Sequence, residues 1–385
     1  MSNIKEDDTK LFPYNSRIVR LKDEDRFQVC LDLRRRRETT TETQTQTEED
    51  ELTQRVPRIG DVTAQLAVFD GHITNLAAKY AEKHWLEYVF KATEKEKEET
   101  AKEKKRKGGS KPVLRETSSL EPSDAFGDAE DVLSEEINFD LEKALIRATR
   151  DLEKGFKQHG LEEGDESVHV KRSGCFGTCF GGKQKVPTGG TTVTSASIQR
   201  GLDTKEGDAT FYIVCASCGD SGALLLPHPN EHDPDDLEVN LRAHKRLTRE
   251  HNADDPLEAV RLVQSGCRLG RMQRADGSEI GPLRAYPGGF AVSRAVGDFA
   301  VPGITCEPEV TRVKVPKTGA RLLVASDGVF AAISDGDISE ICATLSSSKE
   351  CADKIIEKVL ELRGRHDDIT LLIADIPPPE EYMKL

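Results

Sequence analysis

From Gly189 onward the chain is a series of short apolar runs, each bounded by Gly, Pro or Asp: GGTTVTSASI, FYIVCASCGDSGALLL, GFAVSRAVGD, RLLVASDGVF and ITLLIADI. Runs of this length with this punctuation predict strands. Helical patterns fall between some of them, but in pairs rather than in alternation. One helix is predicted to start in DDPLEAVRL, with Asp254 or Asp255 as N-cap and Pro256 at the first position. Two more are SDGDISEICATL and KECADKIIEKVLELRG, the second closed by Gly364. Strands in runs and helices in pairs favour an α+β sandwich over a doubly wound parallel sheet. No internal repeat is present.

The N-terminal part follows the same logic. In RFQVCLDL, Phe27, Val29, Leu31 and Leu33 share one face, as in a half-buried strand. TAQLAVF is a second strand. The Thr-rich segment between them, about 34–57, is too polar for a core and reads as an exposed insertion. After His72, Ala77, Ala81, Trp85 and Tyr88/Val89 recur at helical spacing. Beyond Lys91, Lys, Glu, Ser and Pro dominate, so the helix is expected to run into a disordered polar insertion at about 94–136. A second helix opens near Asn138, with Ile137, Leu141, Leu145, Ala148, Leu152 and Phe156 as its stripe. The expectation is one domain over 1–385, decorated by two insertions.

Charge removes several function classes. A net charge of −14 argues against a nucleic-acid binder working through a general basic field. It also means a phosphate ligand needs local cations or metal ions. No 18-residue apolar run exists, so no membrane span is expected. The start MSNIKEDDTK lacks the layout of a signal peptide, and Ser2 stands where myristoylation requires glycine. The nine cysteines are an odd number and irregularly spaced, and they read as reduced intracellular thiols. CASC, Cys215 to Cys218, lies in a predicted strand and reads as structural rather than redox. Cys175 and Cys179 lack a second Cys/His pair for zinc. The basic runs Arg34–Arg37 and Lys104–Lys107 resemble nuclear-import patches but are flanked by acids, so a cytoplasmic location is expected, with the nucleus open.

Three strands share an oddity. AVFDGH runs into Asp70, LLVASDG runs into Asp327, and in HDDITLLIAD the pair Asp367 and Asp368 precedes the strand. Glu24 and Asp25 open the first strand. A single Asp-Gly step is more often a turn than a ligand. Several strand-end carboxylates on one rim, however, would repel one another and take up protons. Divalent cations relieve that repulsion, and an oxygen-only ligand set suits Mg²⁺ or Mn²⁺.

These residues, in this order, resemble the metal-dependent type 2C protein serine/threonine phosphatases, the PPM family. The similar stretches run from Arg17 to about Ile376: Arg20 with Glu24 and Asp25; Asp70-Gly71-His72; GGTTVTSASI; Gly219-Asp220-Ser221; Leu247, Thr248, His251, Glu258 and Arg261; AVSRAVGD at Ala291–Asp298; Glu307–Val310; Ser326-Asp327-Gly328; and Asp367-Asp368. The resemblance implies a two-sheet antiparallel sandwich flanked by helices, in four α-β-β-α layers. It implies two Mg²⁺ or Mn²⁺ ions bridged by Asp70 and a water or hydroxide, with Asp327 and Asp367 on one ion and Glu24 and the Gly71 carbonyl on the other. Asp25 would orient this set from outside, Arg20 would hold the substrate phosphate, and His72 would protonate the leaving alkoxide. Substrates would be phosphoproteins, with a mild preference for nearby basic residues, and a monomer is expected. The residues alone also allow Arg20 as a surface arginine, His72 as a helix cap and Glu24 as a partner of Lys22 or Arg26. Two other functions stay open: a catalytically weak pseudophosphatase scaffold and a small-metabolite phosphomonoesterase.

The pattern also departs from the family. Ile73 and Thr74 replace a glycine pair, which narrows the approach to His72 or changes the turn. Ala331 stands where many members have an aspartate, so a third ion is expected to be weak or absent. Gly222 replaces an arginine and Asp368 replaces an asparagine.

Overall fold

The computed structural model describes residues 14–19, 22–31, 62–107, 140–159, 167–171, 183–202, 209–228, 244–364 and 367–379. Arg20, the stretch 34–57, Ser118, Ser119, Cys175 and Cys179 lie outside the described residues.

Two five-stranded antiparallel sheets face each other. One has the order β1 (Tyr14–Val19), β17 (Ile369–Ile376), β16 (Ala320–Ala325), β10 (Gly222–Pro227) and β11 (Lys245–Arg246). The other has the order β15 (Glu309–Lys314), β9 (Ala209–Cys218), β8 (Val193–Leu202), β3 (Val62–Phe69) and β2 (Arg26–Leu31). A small sheet joins β14 (Val296–Gly297), β7 (Gly190–Thr191) and β4 (Gly71–His72). Two hairpins pair β5 (Ser167–Lys171) with β6 (Lys183–Pro187), and β12 (Arg268–Gln273) with β13 (Glu279–Tyr286).

Every residue of β3, β16 and β17 is buried, because each of these strands is covered on both faces. Between the sheets, Leu66, Val68, Ile198, Ile213, Leu322, Val324 and Leu372 form one core. On the outer face of the β3 sheet pack α1 (Leu76–Lys107) and α2 (Leu141–His159), through Trp85, Leu145, Leu152 and Phe156. On the outer face of the other sheet, Ile338, Ile355 and Val359 belong to the core formed with α4 (Asp327–Phe330), α5 (Asp335–Ala343) and α6 (Ser348–Arg363). The layers are therefore α-β-β-α. A side lobe of α3 (Pro256–Gln264) and the β12–β13 hairpin has its own small core around Leu262 and Ala285. Its helix is capped by Asp255, which accepts from Leu257 and Glu258 N–H.

Two local differences from the sequence reading have physical causes, and one expectation about cysteines holds. The polar stretch from residue 94 continues α1 to Lys107. Thr93 and Glu96 are buried, and Arg147 on α2 bridges Glu96 at 2.7 Å and Glu99 at 2.9 Å. Charged residues here line a helix–helix seam. In GFAVSRAVGD only Val296–Gly297 is a strand, because Ser293 and Arg294 turn toward Glu258. Cys215 and Cys218 point to opposite faces of β9, one into each neighbouring core, so CASC is no dithiol. Burial pushes the Cys215 thiol up to about 12. Among the described residues no helix is long and apolar enough to cross a membrane.

Candidate metal centre

Strand register gathers the acids. Arg26 lies opposite Phe69, which brings the residues just before β2 alongside Asp70. Val68 pairs with Thr194, and the Thr192 N–H donates to the Asp70 carbonyl at 2.9 Å. Val193 lies opposite Cys218, so the Gly219-Asp220 turn reaches the same edge. In the second sheet Gly222 lies opposite Ala325 and Ala325 opposite Leu371, which brings Asp327 and Asp367 to that rim. Carboxylate oxygens of Asp70, Asp220 and Asp327 all lie within 4.8 Å of one another.

Glycines make this convergence possible. A Cβ at Gly71 would sit 2.6 Å from the Glu24 carbonyl oxygen, and one at Gly328 would sit 2.3 Å from the Asp368 carbonyl oxygen. Gly219 takes φ +124 with Thr192 packed against it. Hydroxyls then fix the rim: Asp70 N–H donates to Thr192 Oγ1, and Thr192 shares a hydrogen bond of 2.8 Å with Ser221.

The electrostatics are those of crowded acids. Burial first, and then Asp25, Asp327 and Asp220, hold the Asp70 carboxyl well above its usual range. Burial and Asp327 push Asp220 up to about 7. Asp25 is also raised to about 7, by burial and against the hydrogen bonds from Thr370 and Ser326. Burial and Asp367 raise Asp327. Asp25 and Asp327 both raise Asp70 through their like charge, and a cation would relieve the same repulsion. The donors are hard oxygens in a buried setting, and that set fits Mg²⁺ or Mn²⁺.

The other expected residues surround this cluster. Asp25 lies behind Asp70, with Thr370 Oγ1 donating to it at 2.8 Å. Glu24 and Asp367 are brought to the rim but outside the three-carboxylate group; Lys22 sits 2.8 Å from Asp367 and 4.0 Å from Glu24. Asp368 accepts backbone N–H bonds from Lys22, Glu24 and Asp25, at 2.8, 2.7 and 3.1 Å. It therefore anchors the turn that carries Glu24.

His72 Nε2 lies 2.5 Å from Asp298 Oδ2, and its ring meets Phe290 edge-on at 5.4 Å. Burial opposes charge on His72, but Asp298 overcomes it and raises the imidazole above its ordinary value. Ile73 adopts φ +70 with its side chain 62% exposed. The glycine-like turn is thus kept without glycine, at a cost of about 1 kcal/mol or more, and the bulk points to solvent.

The sequence reading passed over two contributions. Asp220 was noted only as part of the Gly219-Asp220-Ser221 turn, yet its carboxylate lies within 4.8 Å of those of Asp70 and Asp327; its signal was the Gly-Asp turn closing a buried strand. Arg246 was not singled out. Its guanidinium stacks 3.6 Å from the Phe330 ring centre and fills the space a Cβ on Gly222 would need, with 2.8 Å to Nη2. A cation from β11 therefore stands beside Gly222, where family members carry an arginine.

Comparison with known proteins gives a consistent picture. The sequence model of the family described as Protein phosphatase 2C matches residues 123–368. The chain is 33% identical over 203 residues to "Probable protein phosphatase 2C 3" of Oryza sativa subsp. japonica, covering 51% of this chain and 39% of that one. It is 34% identical over 202 residues to "Probable protein phosphatase 2C 5" of Arabidopsis thaliana, covering 51% and 41%. The match thus spans about two-fifths of these relatives' own length. In fold, it resembles the serine-threonine phosphatase 2C from Toxoplasma gondii, with a TM-score of 0.56 at 16% identity over 94% of each chain. It also resembles a C. elegans sex determining protein, with a TM-score of 0.55 at 20% identity, covering 97% of this chain and 67% of that one.

Proposed function

The chain belongs to the protein phosphatase 2C family, and from that premise we propose that it hydrolyses phosphoserine and phosphothreonine in proteins with the help of two divalent cations. One observation carries this reading: Asp70, Asp220 and Asp327, from three separate strand ends, converge within 4.8 Å. Among the described residues no arginine or lysine forms a salt bridge with any of the three, which supports an external cation as the compensating charge.

Asp70 and Asp327 would hold the cations, helped by Asp220, Glu24, Asp367 and the Gly71 carbonyl. Asp25 keeps Asp70 in place. Bound there, Mg²⁺ or Mn²⁺ would supply Lewis acidity that makes water more acidic near neutral pH. Arg20 binds the phosphate with its planar fork. His72 gives a proton to the serine or threonine oxygen as the P–O bond breaks. Ala331, at the end of α4, offers no carboxylate, so a third ion is weak or absent.

The test is hydrolysis of a phosphothreonine peptide with Mn²⁺, with and without chelator, beside sugar and nucleotide phosphates. Chelator-sensitive turnover that favours the peptide is expected. Preference for the small phosphates would make the protein a metabolite phosphatase, and no turnover on any of several peptides would leave a scaffold.

A further inference from the structure

We infer that Asp298 is a positioning residue for the chemistry, holding His72 by Nε2 so that Nδ1 is the ring atom presented to the leaving oxygen. This rests on the reading of His72 as the proton donor. The 2.5 Å contact between Nε2 and Asp298 Oδ2 is the motivating observation. A neutral imidazole that meets a carboxylate at Nε2 carries its proton there, which leaves Nδ1 free.

The surroundings are built for this contact. The Asp298 side chain is fully buried, and its Oδ1 has no hydrogen-bond partner among the described residues. Its backbone takes φ +51, an unusual conformation for a residue with a side chain. Burying an acid in a strained backbone with one oxygen unmatched costs stability, and among the described residues its only polar side-chain partner is His72. Two glycines make room for it. A Cβ at Gly190 would lie 2.3 Å from Asp298 Oδ2, and one at Gly297 would lie 2.5 Å from the Gly189 carbonyl oxygen. The Asp298 N–H donates to that same carbonyl at 3.0 Å.

The small sheet links the parts. His72 pairs with Gly190, and Gly190 pairs with Gly297. From α2, Glu153 accepts the Gly297 N–H at 2.6 Å, so the helix pair outside the sandwich braces the residue next to Asp298. In the reaction, water oxygen bonds to phosphorus, the phosphorus–ester oxygen bond breaks, and the proton on Nδ1 of the imidazolium passes to the departing oxygen. The products are the free hydroxyl side chain and phosphate, and His72 regains its proton from solvent.

Asp298→Asn, an isosteric change, tests the idea. On a phosphothreonine peptide, whose leaving oxygen needs a proton, kcat should fall roughly 10- to 100-fold with KM within about twofold. On p-nitrophenyl phosphate, whose leaving group needs none, kcat should stay within about threefold. In a His72→Gln background the same change should cost nothing more, since two residues acting as one unit are not additive. Ring ¹⁵N NMR of the metal-free protein, with His72→Gln to assign the signal, should show the Nε2–H form of His72 in the parent and a mixture in Asp298→Asn. Equal losses on both substrates, additivity in the double variant or an unchanged tautomer would overturn the inference. If Asp298→Asn fails to fold, Asp298→Ser is read by the same spectrum and the same substrate pair. If the parent shows no metal-dependent turnover, the functional reading fails; if His72→Gln splits the substrates and Asp298→Asn does not, only the positioning role fails.

Discussion

Two buried acidic sites in this molecule are opposites. At the base of the side lobe, Glu258 is buried and receives Arg294 at 2.6 Å, Arg261 at 2.6 Å and Ser293 at 2.7 Å. Burial works against its charge, yet these donors hold its carboxyl far below the usual range. At the rim, Asp25, Asp70, Asp220 and Asp327 are raised, because burial is joined there by like charges. Where the protein supplies its own cations, the acid is scaffolding: Glu258 pins the loop that ends in Asp298. Where no arginine or lysine among the described residues pairs with them, the acids fit the external cation proposed above. The motif residues therefore divide by whether their charge is already satisfied.

The contrast can be broken most decisively by Asp327→Asn. Turnover should drop about a thousandfold or more, near 4 kcal/mol of transition-state stabilisation. The melting temperature of the metal-free protein at pH 7.5 should hold or rise, since a repulsive charge is gone. A large loss of stability without metal would mean that the rim is structural after all. Glu258→Ala should behave in the opposite way. It strands two guanidinium groups and should lower unfolding stability by about 3 kcal/mol, read by denaturant melts; a neutral result would remove the distinction between the sites.

The smallest effect concerns protons. Asp25 and Asp220 move from an ordinary 3.8 to about 7 on folding. Between those values the folded metal-free chain holds more protons than the unfolded one. The stability they contribute is fully present below about pH 4 and lost as pH rises through 7. Above that, a bound cation would take the protons' place. Mn²⁺ at a hundredfold excess over its Kd should therefore stabilise by about 2.7 kcal/mol at pH 8 and by clearly less at pH 5.5, in thermal melts. An equal shift at both pH values would show that metal and protons do not compete for the same oxygens.

Much of the rim could be read from residue order. Apolar runs that discharge into Asp70 and Asp327 are local features, and a buried strand with a charged tip is informative whatever surrounds it. Less visible was Asp220, because a Gly-Asp-Ser turn looks the same whether or not other acids face it. Asp298 was visible only as the last letter of AVSRAVGD. Its meeting with His72, far away along the chain, depends on pairing within a sheet of two-residue strands, and strands that short leave no periodicity. Asp368 stood out only as an aspartate in place of an asparagine; its three backbone donors come from the turn at 22–25, and no spacing rule connects those positions.

Composition and period alone were enough to specify strands, paired helices and a set of acids at strand ends, since burial of apolar faces and repulsion between carboxylates are properties of local residue type. Which acids meet, which receive arginine and which histidine nitrogen is left free were decided by register and by glycines that admit close backbone approach. Those are distances of a few ångströms between residues far apart in the chain, and only the folded molecule sets them.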